Sequence, residues 1–142
     1  KDKIAVIYAN GEIMQGEGSQ GIVGHETIIA ALRKAVKDKE IKAIVLRINS
    51  PGGDALASEL MHREIALARK QKKVYVSMGN YAASGGYYIA CNAERIFAEA
   101  GSITGSIGVF GALPNASVLA KNWGLTLMQC SIVISRSLQN IL

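Results

Sequence analysis

Two glycine-rich segments have the residue types of one catalytic site. In the first, Ser84 lies within Asn80–Ala90, between small alanines and the pair Gly85-Gly86. Glycine lets the backbone approach a ligand closely and adopt angles that other residues avoid. The pattern is therefore typical of a turn that presents a serine nucleophile, with the Gly85 N–H beside it to stabilise the oxyanion formed when the serine attacks a carbonyl.

The second segment, Asn49-Ser-Pro-Gly-Gly53, could supply the other half of that oxyanion hole. Pro51 restricts the backbone, whereas Gly52 and Gly53 leave it open, so an extended substrate could approach the Gly53 N–H and pair with the segment like a strand. A preorganised oxyanion donor is typically worth about 2.7–4 kcal/mol. We therefore predict Ser84 as the nucleophile, with Gly53 and Gly85 as the donors.

A general base for Ser84 is harder to find. The histidines are His25, at the start of a predicted helix, and His62, one residue from the apolar face of another. A lysine can serve instead if burial lowers its pKa toward neutrality. Lys121 is the one lysine after Ser84, but the pattern around it predicts the last turn of a helix, where a lysine normally points into water. None of the three is an obvious partner.

The elements that must position these segments alternate between β-branched runs and amphipathic patterns. Predicted strands cover residues 3–8, 42–48, 73–78, 95–98 and 106–110, and predicted helices cover 28–36, 57–68, 84–91 and 116–121, with an exposed loop at 16–24. The alternation predicts an α/β domain with a mostly parallel sheet and right-handed crossovers. Because ligands bind beyond the carboxyl ends of such strands, Gly53 and Ser84 are expected to meet there.

Composition and charge exclude several other classes of protein. The 142 residues are 49% hydrophobic and 19% charged, which fits one domain with a real core and excludes disorder. The net charge of +5 comes from basic clusters at 33–42 and 69–73 that close predicted helices. Cations favour helix carboxyl ends and no aromatic residues interleave with them, so we expect no nucleic-acid partner. No run approaches the roughly 18 apolar residues needed to span a bilayer.

Cofactor and metal motifs are also missing from the sequence. Cys91 and Cys130 show no spacing typical of zinc, and Cys91 is expected to be a buried free thiol. No phosphate-binding GxxxxGKT run occurs, and Ala82 replaces the first glycine of the GxSxG elbow of α/β-hydrolases. We therefore expect neither a metal nor a cofactor.

Three motifs together resemble the signal peptide peptidase A (protease IV) family. They are Asn49–Asp54, Met78–Tyr88 and Gly101–Gly111, and the resemblance extends over roughly residues 3–128. A related layout occurs in Clp protease, but the run Thr104–Gly108 favours the peptidase A branch. The resemblance implies a Clp/crotonase-like fold. It also implies a serine–lysine endopeptidase that degrades cleaved signal peptides on the periplasmic side of the bacterial inner membrane.

Carried over residue by residue, the resemblance gives roles to nine positions. Ser84 matches the nucleophile, Gly53 and Gly85 match the oxyanion donors, and the substrate would be flanked by Gly52, Asp54, Ala55, Gly105, Ser106 and Ile107. The lysine does not carry over. In short family members it follows the motif that ends at Gly108, whereas in long tandem members the N-terminal half supplies it to the serine of the C-terminal half.

The opening residues Lys1–Ile13 resemble the start of the second half of the long members. We therefore expect residues 1–142 to be one Clp/crotonase-like domain that is a fragment of a two-repeat protein. Its base would come from outside the chain, so the isolated chain would be inactive. The resemblance further implies signal peptides or other unfolded peptides as substrates and a ring-like homo-oligomer such as a tetramer.

Two alternatives remain open at this point. A crotonase-type acyl-CoA enzyme would use a similar oxyanion pair with carboxylates, for which Asp54 and Glu59 are the nearest acids. A catalytically incomplete assembly subunit would instead pack the apolar tail, 131–142, against a partner. Residues 129–142 depart from the family pattern, and the sequence assigns them no role.

Overall fold

The computed structural model of the chain describes residues 1–111 and 117–124. The chain divides into two compact units, Lys1–Val109 and Phe110–Leu142. The described part of the second unit contains the helix α4, Ser117–Asn122, where the sequence predicts a helix. Among the described residues, no helix is both long and apolar enough to cross a membrane.

The first unit contains the strands and helices predicted up to residue 98, in the predicted order, together with four short strands that the sequence did not predict. Its strands are β1 (Lys3–Asn10), β2 (Glu12–Met14), β3 (Gly18–Ser19), β4 (Ile22–Gly24), β5 (Ile41–Ser50), β6 (Lys73–Ala83), β7 (Arg95–Phe97) and β8 (Ile103–Gly105), and its helices are α1 (His25–Lys37), α2 (Ala55–Arg69) and α3 (Gly85–Ala90).

The main sheet has the order β1-β5-β6-β7, and all of its pairs are parallel. The strand β8 also pairs in parallel with β6, after the part of β6 that pairs with β7. A smaller sheet of order β2-β4-β3 precedes α1. The structure thus confirms the predicted α/β domain with a mostly parallel sheet.

The core lies between the sheet and its helices. Alternate residues of β5 and β6, such as Leu46 and Val76, are fully buried because successive side chains of a strand point to opposite faces. These strand residues pack against the apolar faces of α1 and α2. Leu32 of α1 and Met61 of α2 are also fully buried. All four apolar positions predicted for α2 are buried, namely Ala57, Met61, Ile65 and Ala68.

Three expectations about local structure are wrong. The loop predicted at 16–24 contains the short strands β3 and β4. The strand predicted at 106–110 is absent, and β8 ends instead at Gly105, because Gly105 (φ 93°) and Ser106 (φ 54°) leave the extended region. Cys91, expected to be buried, is exposed because it follows the last turn of α3 where the chain leaves the core.

Candidate active site

The end of β6 departs from regular pairing with β5. Ile48 of β5 lies opposite Met78, but Ser50, two residues later, lies opposite Ala82, four residues later. Two extra residues are therefore accommodated in β6, and a bulge of this kind bends a strand and redirects its end. The bulge lies directly before Ser84.

Asn49 fixes this bulge with its side chain. Its Oδ1 accepts a hydrogen bond from the Tyr81 N–H (3.1 Å), and its Nδ2 donates to Oδ1 of Asn10 (3.0 Å). A Cβ atom at Gly79 would lie 2.9 Å from the Asn49 Oδ1, so the bulge needs a glycine at that position. Asn49, which opens one glycine motif, thus shapes the strand that leads into the other.

Ser84 lies at the start of α3 with an uncommon backbone conformation. Its φ of 50° and ψ of −119° place a non-glycine residue in a sparsely populated region, which costs about 1–3 kcal/mol and is typical of functional sites. Its N–H donates to the Gly105 carbonyl (2.9 Å), and its own carbonyl accepts from the Tyr88 N–H (2.8 Å). Hydrogen bonds on both sides therefore hold the serine in this conformation.

The Gly52-Gly53 turn is held by a residue far away in the sequence. The Ile13 N–H donates to the Gly52 carbonyl, and the Asp54 N–H donates to the Ile13 carbonyl, both at 2.8 Å. Peptide groups alternate in direction along an extended segment, so the Gly53 N–H points away from Ile13. One edge of this segment is thus already paired, and an extended substrate has only the opposite edge available.

The two glycine turns are in direct contact. A Cβ atom at Gly52 would lie 2.8 Å from the Gly85 nitrogen and 2.9 Å from the Ser84 Cβ. Gly85 begins α3, so its N–H has no partner within the helix. Within the described residues, neither the Gly53 N–H nor the Gly85 N–H has a hydrogen-bond acceptor. The structure therefore brings Ser84 and Gly85 into contact with Gly52, the chain neighbour of Gly53.

The other predicted substrate-flanking residues lie on the two segments that leave this junction. Gly105 contacts the Ser84 backbone directly, and Ser106 follows it with a positive φ. Ile107 is 85% exposed, which is unusual for an isoleucine and leaves an apolar side chain available for contacts. Ala55 is the first residue of α2 and is exposed.

Asp54 has a structural task. Its Oδ1 accepts the Ala57 N–H (2.6 Å) as the N-cap of α2, and its Oδ2 accepts a hydrogen bond from Gln15 (3.1 Å). These hydrogen bonds, led by that from Ala57, lower the pKa of Asp54. Glu59 is likewise engaged, since it accepts a hydrogen bond from the Tyr88 hydroxyl. Both acids that the acyl-CoA alternative would use thus already accept hydrogen bonds.

Neither candidate histidine makes a hydrogen bond to Ser84. His25 accepts the Gly16 N–H at Nδ1 (3.0 Å), and His62 stacks on Tyr88 with ring centroids 4.3 Å apart. Lys121 belongs to the second unit. Among the described residues, no side chain makes a hydrogen bond to the Ser84 hydroxyl.

An open cavity of about 400 Å³, which the sequence does not reveal, adjoins the first glycine turn. It is lined by Asn10, Gly11, Gly21, Asn49, Pro51 and Tyr81. Asn10 and Asn49 end neighbouring strands in register, so the parallel order of β1 and β5 brings them together. The available sequence signal was a pair of asparagines that each follow an apolar run.

Comparisons with known sequences agree with the motifs at this site. Residues 66–131 match the family described as peptidase family S49. Protease 4 from Salmonella typhi is 53% identical over 111 residues, which are 78% of this chain and 18% of that protein. The chloroplastic serine protease SPPA of Arabidopsis thaliana is 47% identical over 116 residues, 79% of this chain and 17% of that protein. A signal peptide peptidase SppA of Enterococcus faecium is 37% identical over 129 residues, 87% of this chain and 38% of that protein. The chain thus spans about a fifth of the first two relatives' length.

Solved structures with the same fold include proteases and acyl-CoA enzymes. ClpP1 from Listeria monocytogenes is 26% identical, with a TM-score of 0.51. The match covers 63% of this chain and 46% of that chain. The 1510-N membrane-bound stomatin-specific protease is 21% identical, with a TM-score of 0.61 over 87% of this chain and 59% of that one. An enoyl-CoA hydratase/isomerase from Acinetobacter baumannii is 19% identical, with a TM-score of 0.50. The match covers 56% of this chain and 40% of that chain. The fold is therefore Clp/crotonase-like.

Proposed function

This chain belongs to peptidase family S49, and on that premise we propose that it provides the nucleophile and oxyanion hole of a serine peptidase of the Ser/Lys type. The observation that carries the proposal is the backbone of Ser84. A non-glycine residue at φ 50° lies at the start of a helix, in contact with a second glycine turn. Such strain persists only where the surrounding structure imposes it, and it is concentrated at active sites.

In the proposed reaction, the Ser84 hydroxyl attacks the carbonyl carbon of a peptide bond while a base takes its proton. The Gly53 and Gly85 N–H groups then donate to the developing oxyanion, each contributing about 2.7–4 kcal/mol to the transition state. The amine leaves with the proton returned by the base, and water hydrolyses the acyl-enzyme by the same route. This division of roles is the general logic of a serine nucleophile with its base.

We propose that the base is a lysine from outside this chain. His25 and His62 are engaged with other groups, and the relatives are long enough to carry further segments. A lysine enclosed by such a segment would lose its proton more readily because burial disfavours the charged ammonium. The isolated chain should therefore have little activity.

The proposed substrates are extended peptides with small or apolar side chains, cleaved signal peptides above all. The name of the relative from Enterococcus faecium and the exposed Ile107 beside Gly105 and Ser106 support this choice. The substrate would lie between 52–55 and 105–107, using the free edge at Gly53. The same relationship supports the further proposal that the enzyme acts at the periplasmic face of the bacterial inner membrane as a ring-like homo-oligomer.

The test compares three proteins on one apolar fluorescence-quenched peptide. They are the isolated chain, the complete gene product that contains it, and the complete product with Ser84→Ala. We expect cleavage only by the second, and Ser19→Ala, a change of an exposed serine in β3, serves as the matched control. Undiminished cleavage by Ser84→Ala would refute the assignment. Binding of a CoA ester without peptide cleavage would favour the acyl-CoA alternative, and absence of both activities would favour the assembly subunit.

A further inference from the structure

The strained conformation of Ser84 has to be held at its carbonyl as well as at its N–H. The N–H is fixed by the Gly105 carbonyl of β8, and the carbonyl is fixed by the Tyr88 N–H, four residues along the chain. The helix that contains Tyr88 has only six residues, too few to be stable through its own hydrogen bonds. The position of Tyr88 must therefore come from contacts outside α3.

On one side of α3, Ile89 and Ala90 are fully buried in the core, and on its more exposed side the Tyr88 side chain contacts α2. Its hydroxyl donates to Oε2 of Glu59, and its ring stacks on the His62 imidazole with centroids 4.3 Å apart and planes 8° from parallel. The His62 ring is held in turn by Asn92, whose Nδ2 lies 2.9 Å from Nε2. Four side chains, Glu59, His62, Tyr88 and Asn92, thus form one cluster, which we term the Tyr88 clamp.

The clamp has the chemistry of a fixed anchor. The hydrogen bond to Glu59, with burial and the nearby carboxylate, raises the pKa of Tyr88, because these contacts favour the protonated phenol. Hydrogen bonds to ionised groups are about twice as strong as those between neutral groups. The stacked ring adds a geometric restraint that a hydrogen bond alone does not impose.

Resting on the proposed role of Ser84 as nucleophile, we infer that Tyr88 is a positioning residue. Its backbone N–H fixes the Ser84 carbonyl, and its side chain ties that N–H to Glu59 and His62 of α2. Glu59 and His62 therefore help to fix the backbone of the nucleophile through their contacts with the Tyr88 side chain. The donor Gly85 is carried by the same helix, so the clamp sets the distance between the hydroxyl and its oxyanion site.

Kinetics of the complete gene product test this inference on the quenched peptide. Tyr88→Phe keeps the stack but loses the hydrogen bond to Glu59, and we expect kcat to fall about tenfold with KM within twofold, since small misplacements of reacting groups slow the chemical step. Glu59→Ala should lower kcat by about the same factor as Tyr88→Phe. The double variant should fall no further, because both changes break one interaction. Tyr87→Phe, a neighbouring tyrosine whose hydroxyl makes no hydrogen bond among the described residues, should leave both constants unchanged.

A second readout separates positioning from general stability. The rate at which a fluorophosphonate labels Ser84 should fall in parallel with kcat in Tyr88→Phe when both are measured well below the thermal unfolding temperature of this variant. Unchanged kcat and labelling in Tyr88→Phe and Glu59→Ala would overturn the clamp and leave the proposed function intact. A raised KM with unchanged kcat would overturn it too, because Tyr88 would then contact substrate. Cleavage that survives Ser84→Ala would instead overturn the proposed function.

Discussion

The two turns that meet at the candidate site are stabilised in opposite ways. The Gly52-Gly53 turn uses glycines at positive φ, which adopt such angles without a steric cost, and it is fixed by backbone pairing to Ile13. The Ser84 turn places a residue with a side chain at φ 50° and is fixed by Gly105 and Tyr88. A turn that only presents N–H groups can be all glycine. A turn that presents a nucleophile needs a residue with a side chain, so the strained backbone of that residue has to be stabilised by the surrounding structure.

The largest expected effect comes from adding a side chain to the glycine turn. In Gly53→Ala, the new Cβ would lie 2.1 Å from the Ile13 carbonyl oxygen at a φ of 150°. Backbone atoms must move to relieve this contact, so we expect a loss of about 3 kcal/mol in the free energy of unfolding. Urea unfolding measures it. Gly16→Ala, whose Cβ would have nothing within 4 Å although its φ is also positive, is the control for the backbone angle alone.

Removing the side chain from the Ser84 turn should raise the free energy of unfolding, whereas adding one to the glycine turn should lower it. Ser84→Gly relieves the strained φ, so we expect the free energy of unfolding to rise by about 1 kcal/mol while peptide cleavage disappears. Ser84→Ala should lose the same activity without the gain in stability. If urea unfolding showed Ser84→Gly to be no more stable than Ser84→Ala, the backbone at this position would not be strained.

A smaller effect on thermal stability should follow from loss of the N-cap of α2. This helix follows the glycine turn directly and contacts the Ser84 turn through Tyr88. Asp54→Ala removes the acceptor for the Ala57 N–H, and a lost N-cap of this kind should lower the Tm by about 4 °C. Asp54→Ser keeps a capping oxygen and should recover most of the loss. Equal Tm values for the two variants would show that the cap does not matter here.

The smallest effect is the pH dependence of the same cap. The folded pKa of Asp54 lies below its ordinary value of 3.8, so the ionised form is the one that folding favours. Its contribution to stability is therefore present above the unfolded pKa and lost as pH falls through the lower folded pKa. Between pH 5 and pH 2, Tm should fall less in Asp54→Ala than in the unchanged protein. Parallel Tm curves would contradict this.

Local pattern predicted much of the fold. The apolar spacing of Ala57, Met61, Ile65 and Ala68 gave the buried face of α2, because helical periodicity is written in consecutive residues. The β-branched runs predicted the central parallel strands for the same reason. The glycines around Ser84 predicted a tight turn, and the structure has one, although its positive φ lies at Ser84 and not at Gly85 or Gly86.

Expectations failed where distant contacts decide the outcome. The run 106–110 looks like a strand, yet the chain leaves the sheet once Gly105 has bonded to Ser84. Cys91 looks buried by composition, yet the end of α3 carries it to the surface. The sequence also offered Asp54 and Glu59 as the nearest acids, and only the fold shows that each accepts a hydrogen bond.

Sequence alone predicted the central strands, the helices between them, the glycine turns and the serine within one of these turns, since these depend on residues close together in the chain. Three contacts became visible in the folded chain: Ile13 pairs with one edge of the Gly53 segment, Gly52 contacts Gly85, and Tyr88 joins Ser84 to α2. Each of these contacts links side chains or peptide groups tens of residues apart. Their partners are fixed by how the sheet and helices pack, which no local periodicity records.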